Sequence, residues 1–395
     1  MRILLCNYEY PPLGGGGGIF TACLARQLAK RHDVTVLTSQ GLGTPADSVE
    51  DGVRVVRAPV FLRQQRATAS LVSMASYMVG GVRVGKKLLR QQSFDIINTH
   101  FALPSGPVGD SLARFGGIPN VLTVHGGDIY DPSKFTSPHR HPLLKAWTRN
   151  LLSKADKVVG QSKNTLENVH KYYTNDLDSV RIPLGIDPPP IVSEDGCGYD
   201  FAEDEVLLIT VGRLVPRKAS AQLITMMKAL KDTRVKLIVI GSGPEEKMLK
   251  AEVKSSGLEN QVLFTGFVSD EDKFRQLQRS DIYVSSSQHE GFGLVFLEAM
   301  ASGLPVVCYD HGGQTDFLQN DRNGYVVPLN DLDGLRARCQ QLIENSQLRK
   351  SIGQNNKELV KEFYIDNCAK LYENLFYETI SQFSGEPVEK IYEYT

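Results

Sequence analysis

Twice along the chain, six short runs rich in Val, Ile and Leu follow one another, each parted from the next by a longer amphipathic stretch. The first series is RILLC, VTVLT, VRVVRA, DIINTH, NVLTVH and KVVGQS. The second is EVLLITVG, VKLIVIG, QVLFTG, DIYVSSS, LPVVCYD and GYVVPL. Runs this apolar suit strands buried on both faces, and the stretches between them can form helices or crossovers. The pattern confines the chain to an α/β class with mostly parallel sheets under helices. Between the series lies IPLGIDPPPIVSEDGCGYD, dense in proline, glycine and acid and without periodicity. At 395 residues the chain is long for one core. Two Rossmann-like domains facing a cleft are expected, residues 1–187 and 188–362, with a helical tail at 363–395 crossing back to the first.

Charge divides along the same line. Residues 1–187 hold 22 Lys/Arg and 14 Asp/Glu, whereas residues 188–395 hold 22 and 31. A basic half and an acidic half imply different partners. The six cysteines (Cys6, Cys23, Cys197, Cys308, Cys339, Cys368) lie far apart with no Cys-x-x-Cys pair, so buried free thiols are expected rather than a disulfide or zinc framework. The first apolar run stops at Cys6, before Asn7, Tyr8 and Glu9, which is unlike a signal peptide. No apolar stretch approaches the ~20 residues that span a bilayer. A cytoplasmic address is expected.

Five glycines, Gly14–Gly18, follow the first run and precede helical apolar spacing from Ile19 to Arg31. Strand, bare loop, helix is a turn at which a ligand can approach the backbone. A nicotinamide fingerprint fits only in part, because Ile19 stands where its third glycine belongs and no acid follows VTVLTSQ. Without a following Lys-Ser/Thr it is not a P-loop either.

Ligands of open α/β sheets sit beyond the carboxyl ends of strands. In VGRLVPRK, Arg213 and Lys218 occupy such a loop after Gly212, and guanidinium with ammonium suits a phosphate or diphosphate. In SSSQHEGFGLVFLEAMASG, Glu290 lies in the loop and Glu298 on the second turn of the helix that follows. Amides from Gly291 through Phe292 and Gly293 to Leu294 at that helix start suit an anion. Singly, each glutamate reads as a solvated or capping residue; beside Arg213 and Lys218 the group reads as one site. In the first half, NVLTVHGGDIY puts His125 directly after a strand with Asp128 close behind, and His100 ends DIINTH in the same way.

These motifs resemble the retaining glycosyltransferases of family 4, which have the GT-B fold. The resemblance covers nearly the whole chain, and the glutamate pair in HEGFGLVFLEAMASGLPVV is its most specific element. It implies that Arg213 and Lys218 neutralise the diphosphate of a nucleotide-sugar donor, with the amides of Gly291–Leu294 on the same phosphates. Glu290 would contact donor-sugar hydroxyls and Glu298 the ribose. Gly266, Phe267 and Val268 would lie beside the base. His125 would lie near the transferred sugar. Gly16 and Gly17 would close on the donor, with Gly15, Gly18, His100 and Asp128 on the acceptor side. The implied reaction moves a hexose from a UDP- or GDP-sugar to a glycan, lipid-linked or small-molecule acceptor, in cell-surface polysaccharide or glycolipid synthesis. It implies no cofactor, the nucleotide sugar being a co-substrate, and no nucleic-acid partner. Alternatives are a sugar-nucleotide 2-epimerase and a non-catalytic nucleotide-sugar-binding subunit.

No metal site is expected. The triplets Asp176-Leu177-Asp178 and Asp331-Leu332-Asp333 read as loop and helix-cap residues. Retention normally invites a protein nucleophile, and no unambiguous carboxylate presents itself, so the resemblance points to front-face substitution. Between Asp51 and Asp95 stand eight cations (Arg54, Arg57, Arg63, Arg66, Arg83, Lys86, Lys87, Arg90), interleaved with apolar residues and without an acid. Reversible contact with an anionic membrane surface is an expectation from that composition. Gly80, Gly81 and Gly85 argue against one long helix there.

Overall fold

In the computed structural model, which describes residues 1–63, 70–192, 202, 204–230 and 232–385, the chain divides into two units. Met1–Gly185 and the segment from Ile365 form unit 1; Ile186–Tyr364 forms unit 2. Cys197 and Arg66 lie outside the described residues, as do residues 386–395 of the expected tail.

Unit 1 contains β1 (Arg2–Asn7), α1 (Gly16–Ala29), β2 (Asp33–Ser39), β3 (Asp47–Glu50), β4 (Val53–Ala58), α2 (Leu71–Gln91), β5 (Ile96–His100) and α3 (Gly106–Gly116). There follow β6 (Asn120–Val124), α4 (Pro142–Lys154), β7 (Lys157–Gly160), α5 (Lys163–Tyr172) and β8 (Ser179–Arg181). Its sheet runs β3-β4-β2-β1-β5-β6-β7-β8 and is parallel except where β3 pairs antiparallel with β4. All six apolar runs of the first series are strands. Two further strands, β3 and β8, close the edges; DSVE and SVR are too short and polar to announce themselves.

Helix α2 corrects the sequence reading, because it is continuous over 21 residues despite its three glycines. The glycines mark close packing. A Cβ on Gly81 would press on Val108 at 3.2 Å, one on Gly85 would overlap Leu112 of α3, and one on Gly80 would meet the Pro59 carbonyl at 3.0 Å. Helix α1 begins at Gly16, three residues before the apolar spacing, so the glycine run is half loop and half first turn.

Unit 2 contains β9 (Val206–Val211), α6 (Ser220–Leu230), β10 (Val235–Ile240), α7 (Glu246–Ser255), β11 (Val262–Gly266), α8 (Asp270–Arg279) and β12 (Ile282–Ser285). After these come α9 (Leu294–Ala301), β13 (Val306–Tyr309), β14 (Gly324–Val327), α10 (Leu332–Glu344) and α11 (Ser346–Leu359). The order β11-β10-β9-β12-β13-β14 is parallel throughout. Leu208, Leu237, Ile282 and Val307 from its central strands meet Leu223, Leu249 and Leu335 from the helices in one buried core.

A last helix, α12 (Ile365–Ser384), returns to unit 1. It lies on α1, with Tyr372 and Phe376 fully buried. Glu373 accepts hydrogen bonds from Arg31 Nη2 and pairs with His32 Nε2, each at 2.6 Å. Where the chain passes between units, Ile186 donates to the Phe363 carbonyl at 3.0 Å, and a Cβ on Gly185 would press on the Ile365 Cα at 2.8 Å. Among the described residues no helix is long and apolar enough to cross a membrane. Cys6, Cys308, Cys339 and Cys368 are buried free thiols, and Cys23 is a half-buried one.

Candidate active site

In unit 2 the strand order reverses between β9 and β12, the place where doubly wound sheets leave a crevice beyond their strands. The loops that leave these two strands carry most of the expected donor residues. After β9, the chain passes Gly212 and Arg213 and makes a tight turn at Pro216–Lys218, closed by Ala219 at φ +46°. After β12 it runs through Ser286–Gly293 into α9. Ser286 Oγ donates to the Lys218 carbonyl at 3.0 Å and Gln288 N to the Arg217 carbonyl at 2.8 Å, so the loops are stitched together.

Their side chains converge on Glu290. Lys218 Nζ bonds Glu290 Oε1, while Arg217 Nη1 reaches Oε2 at 3.2 Å and also bonds the His289 carbonyl. Burial alone would raise the Glu290 carboxyl; Lys218 and Arg217 outweigh it and hold the group at about 2. Lys218 is shifted down, first by burial and then by Arg217 and Arg213, against the pull of Glu290. Two cations thus hold one carboxylate, with Arg213 near enough to disfavour the charge on Lys218, and the Arg217–Lys218–Glu290 group carries more positive than negative charge. Arg217 was not singled out from sequence, although it stands between two residues that were. Gly212 donates its amide to the Ile240 carbonyl at 2.9 Å, so it offers space and no phosphate donor.

Glu298 occupies a separate place. One oxygen accepts from Lys273 Nζ of α8 at 2.8 Å, while the buried Oε2 has no partner among the described residues. Burial raises its carboxyl more than Lys273 lowers it. Lys273 lies 25 positions away, and nothing in the spacing signals it. Gly293 caps α9 at φ +99°, and a Cβ there would overlap the Phe296 ring. The Phe292 ring packs on Phe317 at 5.2 Å, which leaves only its backbone for a ligand. The first amides of α9, from Leu294, have no acceptor within the helix. At the end of β11, Gly266 adopts φ +71°; beyond it Phe267 is 77% exposed and Val268 half-buried.

In unit 1 the order reverses beside β1 and β5. Here much of the glycine run serves the protein itself. The Glu9 carboxylate accepts from Gly15 N at 3.0 Å, and Gly14 (φ +104°) has no room for a Cβ, which would fall 2.6 Å from that of Glu9. A Cβ on Gly17 would overlap Phe101, and one on Gly18 would press on the Glu9 backbone at 3.2 Å. Gly15 and Gly16 are the open members: Gly15 has no neighbour for a Cβ within 4 Å, and Gly16 is exposed. His100 Nδ1 and His125 Nε2 face each other at 3.1 Å, both buried. Burial depresses both rings, His125 to about 3, so the pair is neutral near pH 7. Asp128 accepts from Ala102 N at 2.7 Å and His125 N at 2.8 Å, tying the ends of β5 and β6; burial raises its carboxyl to about 6. Gln161 Nε2 donates to the His125 carbonyl at 2.6 Å and ties in β7.

The Asp-x-Asp triplets are structural. Asp178 pairs with Lys157 at 2.6 Å, Asp331 Oδ1 caps α10 through Gly334 N at 2.9 Å, and Asp333 pairs with Arg336 at 3.2 Å. Among the described residues no cluster of three His, Cys, Asp or Glu could hold a metal ion.

Residues 14–189 match the family model described as Glycosyltransferase Family 4, and residues 198–359 the model for Glycosyl transferases group 1. The chain belongs to the family 4 glycosyltransferases. It is an enzyme, a hexosyltransferase with the two-sheet GT-B fold. This glycosyltransferase is 26% identical over 383 residues to N-acetyl-alpha-D-glucosaminyl L-malate synthase of Bacillus anthracis, covering 94% of this chain and 96% of that one. Its fold matches sucrose-phosphate synthase from Thermosynechococcus elongatus with a TM-score of 0.82 at 21% identity, over 97% and 100% of the chains. It also matches the Anabaena protein HepE, crystallised with UDP and glucose, with a TM-score of 0.76 at 20% identity over 95% and 99%.

Proposed function

We propose that this glycosyltransferase moves a hexose from a UDP- or GDP-sugar to a glycan, lipid-linked or small-molecule acceptor, with retention at the anomeric carbon. The observation that carries the reading is the meeting of Arg217 and Lys218 with Glu290, with Arg213 beside Lys218, at the β9/β12 switch point. The capture of UDP and glucose by the structural neighbour HepE supports it. The donor diphosphate takes the place prepared by the cations, and the first amides of α9 bind the same phosphates. Glu290, once it shares its cations with the diphosphate, accepts from hydroxyls of the donor sugar. The unpartnered Glu298 Oε2 accepts from a ribose hydroxyl. Phe267 lies against the base.

In the transfer, the bond from C1 to the diphosphate oxygen breaks as negative charge grows on the leaving group, and the fixed cations stabilise that charge. The acceptor hydroxyl oxygen bonds C1 on the same face. Its proton passes to the departing phosphate oxygen, so no protein nucleophile is needed. The loops of unit 1 that carry Gly15, Gly16, His100, His125 and Asp128 serve the acceptor and the transferred sugar. The exposed basic face of α2 rests reversibly on anionic membrane, and the product enters surface polysaccharide or glycolipid.

The test is incubation with a panel of UDP- and GDP-hexoses in the absence of acceptor. Slow release of the nucleoside diphosphate from one of them is expected. Release from none would sink the donor assignment, and recovery of a 2-epimer in place of hydrolysis would favour an epimerase.

A further inference from the structure

Unit 1 has an open groove of about 750 Å³ between α4 and the end of α5, within the size range of small-molecule sites. Lys145 and Arg149 stand one turn apart on its α4 wall, with His170 and Lys171 on the α5 wall, and none of its lining residues is acidic. Among the described residues, none of Lys145, Arg149 and Lys171 is ion-paired to a carboxylate. Like charges gathered without a counter-charge repel one another, and an anion relieves that repulsion.

The rest of the lining narrows the kind of anion. Tyr172 is held flat against Tyr130, with ring centroids 5.3 Å apart and planes 10° from parallel, and His139 packs on it at 5.0 Å. That gives the groove a stiff aromatic wall. Asn150, Ser153, Thr174 and Asn175 add neutral donors and acceptors. Cations for an acid group, a fixed aromatic surface for a sugar face, and amides and hydroxyls for sugar hydroxyls form one consistent set. We infer that this groove binds an anionic saccharide, a sugar bearing carboxylate or phosphate groups.

Its position suggests the source. Tyr173, on the groove floor, donates its hydroxyl to the Ile129 carbonyl at 2.7 Å. Ile129 and Tyr130 continue the loop begun by His125 and Asp128, so the groove wall and that loop are one packed piece. On the reading given under Proposed function, the ligand is a charged part of the acceptor glycan, held apart from the hydroxyl that reacts.

The chain's single tryptophan, Trp147, lies on another face of α4 and is not among the lining residues, so binding is followed by isothermal titration calorimetry. The full-length protein is titrated with hyaluronan tetrasaccharide and with mannose 6-phosphate, and in parallel with neutral chitotetraose, inorganic phosphate and phosphatidylglycerol vesicles. Saturable heat with at least one of the two anionic sugars is expected. Affinity should fall at least tenfold in the triple variant K145Q/R149Q/K171Q, whose thermal melt is measured to verify folding. Equal binding by the variant, equal binding of chitotetraose, or silence with both anionic sugars overturns the proposal. Equal affinity for phosphate would reduce the groove to a simple anion site. A variant-sensitive response to vesicles in place of the sugars would assign it to a lipid headgroup. Hydrolysis of nucleotide sugar, followed in the same samples, should be unchanged by the triple substitution. If the wild type hydrolyses no donor, the catalytic reading falls while the groove is still judged by calorimetry.

Discussion

Lys218 and Arg213 belong to a group in which positive charge exceeds negative, and that surplus is what a diphosphate leaving group requires as it departs. Replacing either by alanine is expected to lower kcat by a factor on the order of 10² to 10³ with the fold intact. Steady-state kinetics beside a thermal melt measure this; normal turnover in either variant would remove the diphosphate site from this loop. Glu298→Ala should instead weaken donor binding, because the proposed ribose contact would be made before and during the reaction alike.

The buried histidines give unit 1 a pH dependence whose sign is fixed. Their folded pKa values lie below the unfolded value, so their stabilising contribution is present above about 6.5 and fades as pH falls. His125 alone removes about 1 kcal/mol between pH 7 and 5.5. Asp128 acts oppositely: its raised carboxyl binds a proton in the folded state near pH 6, before the unfolded chain does, and offsets part of the loss. Asp128→Asn should therefore steepen the acid loss of thermal stability below pH 6, and an unchanged slope would show that Asp128 does not titrate as described.

Which of these residues could be read in advance follows from geometry. Arg213, Lys218, Glu290 and His125 stand in loops that follow a strand, and His100 is the last residue of one, where a run of apolar letters ends visibly. The Arg217–Glu290 and Lys273–Glu298 pairs form across 73 and 25 positions, and no periodicity encodes such meetings.

Helix α2 shows how an element can mislead. Its three glycines lower helix propensity by roughly 1 kcal/mol each relative to alanine, yet all three are in close packing, Gly81 and Gly85 against α3 and Gly80 against the Pro59 backbone. The outer face of this helix and the turn before it leave Phe61, Leu62, Leu71, Val72 and Val79 more than half exposed, beside exposed Arg83, Lys87 and Arg90. Lys86 and Arg90 also lie over the Phe115 ring, at 5.1 and 5.4 Å. Each basic residue near an anionic bilayer contributes about 1 kcal/mol. Co-sedimentation with anionic liposomes at low salt, fading as salt rises, is expected. Substituting Arg83, Lys86, Lys87 and Arg90 with Gln should weaken it. If the wild type ignores such liposomes, a soluble acceptor becomes the better reading. The glycine run was legible as a turn between strand and helix. Its occupation by Glu9 and Phe101 was not, since neither neighbour is marked by spacing.

At the scale of the molecule, two series of apolar runs with one interruption translate directly into two parallel sheets, because strands buried on both faces leave no polar alternation to confuse the reading. The edge strands β3 and β8 escaped because they bury little. On the proposed reading, charge for the reaction comes from Arg213, Arg217 and Lys218, so transfer should proceed unaltered in excess EDTA. Loss of activity that magnesium or manganese restores would show that a divalent ion takes part after all.

Helix α12 ties the two ends of this story together in time. Unit 1 draws its strands from residues translated ahead of unit 2, but Tyr372 and Phe376 of its core are translated after unit 2. On the ribosome, the strands of unit 1 are all made while one wall of its core is still missing, and unit 2 is synthesised whole in the interval. Of the two units, the one begun earlier is thus completed later, and during that wait the apolar surface of α1 around Phe20 lacks its cover.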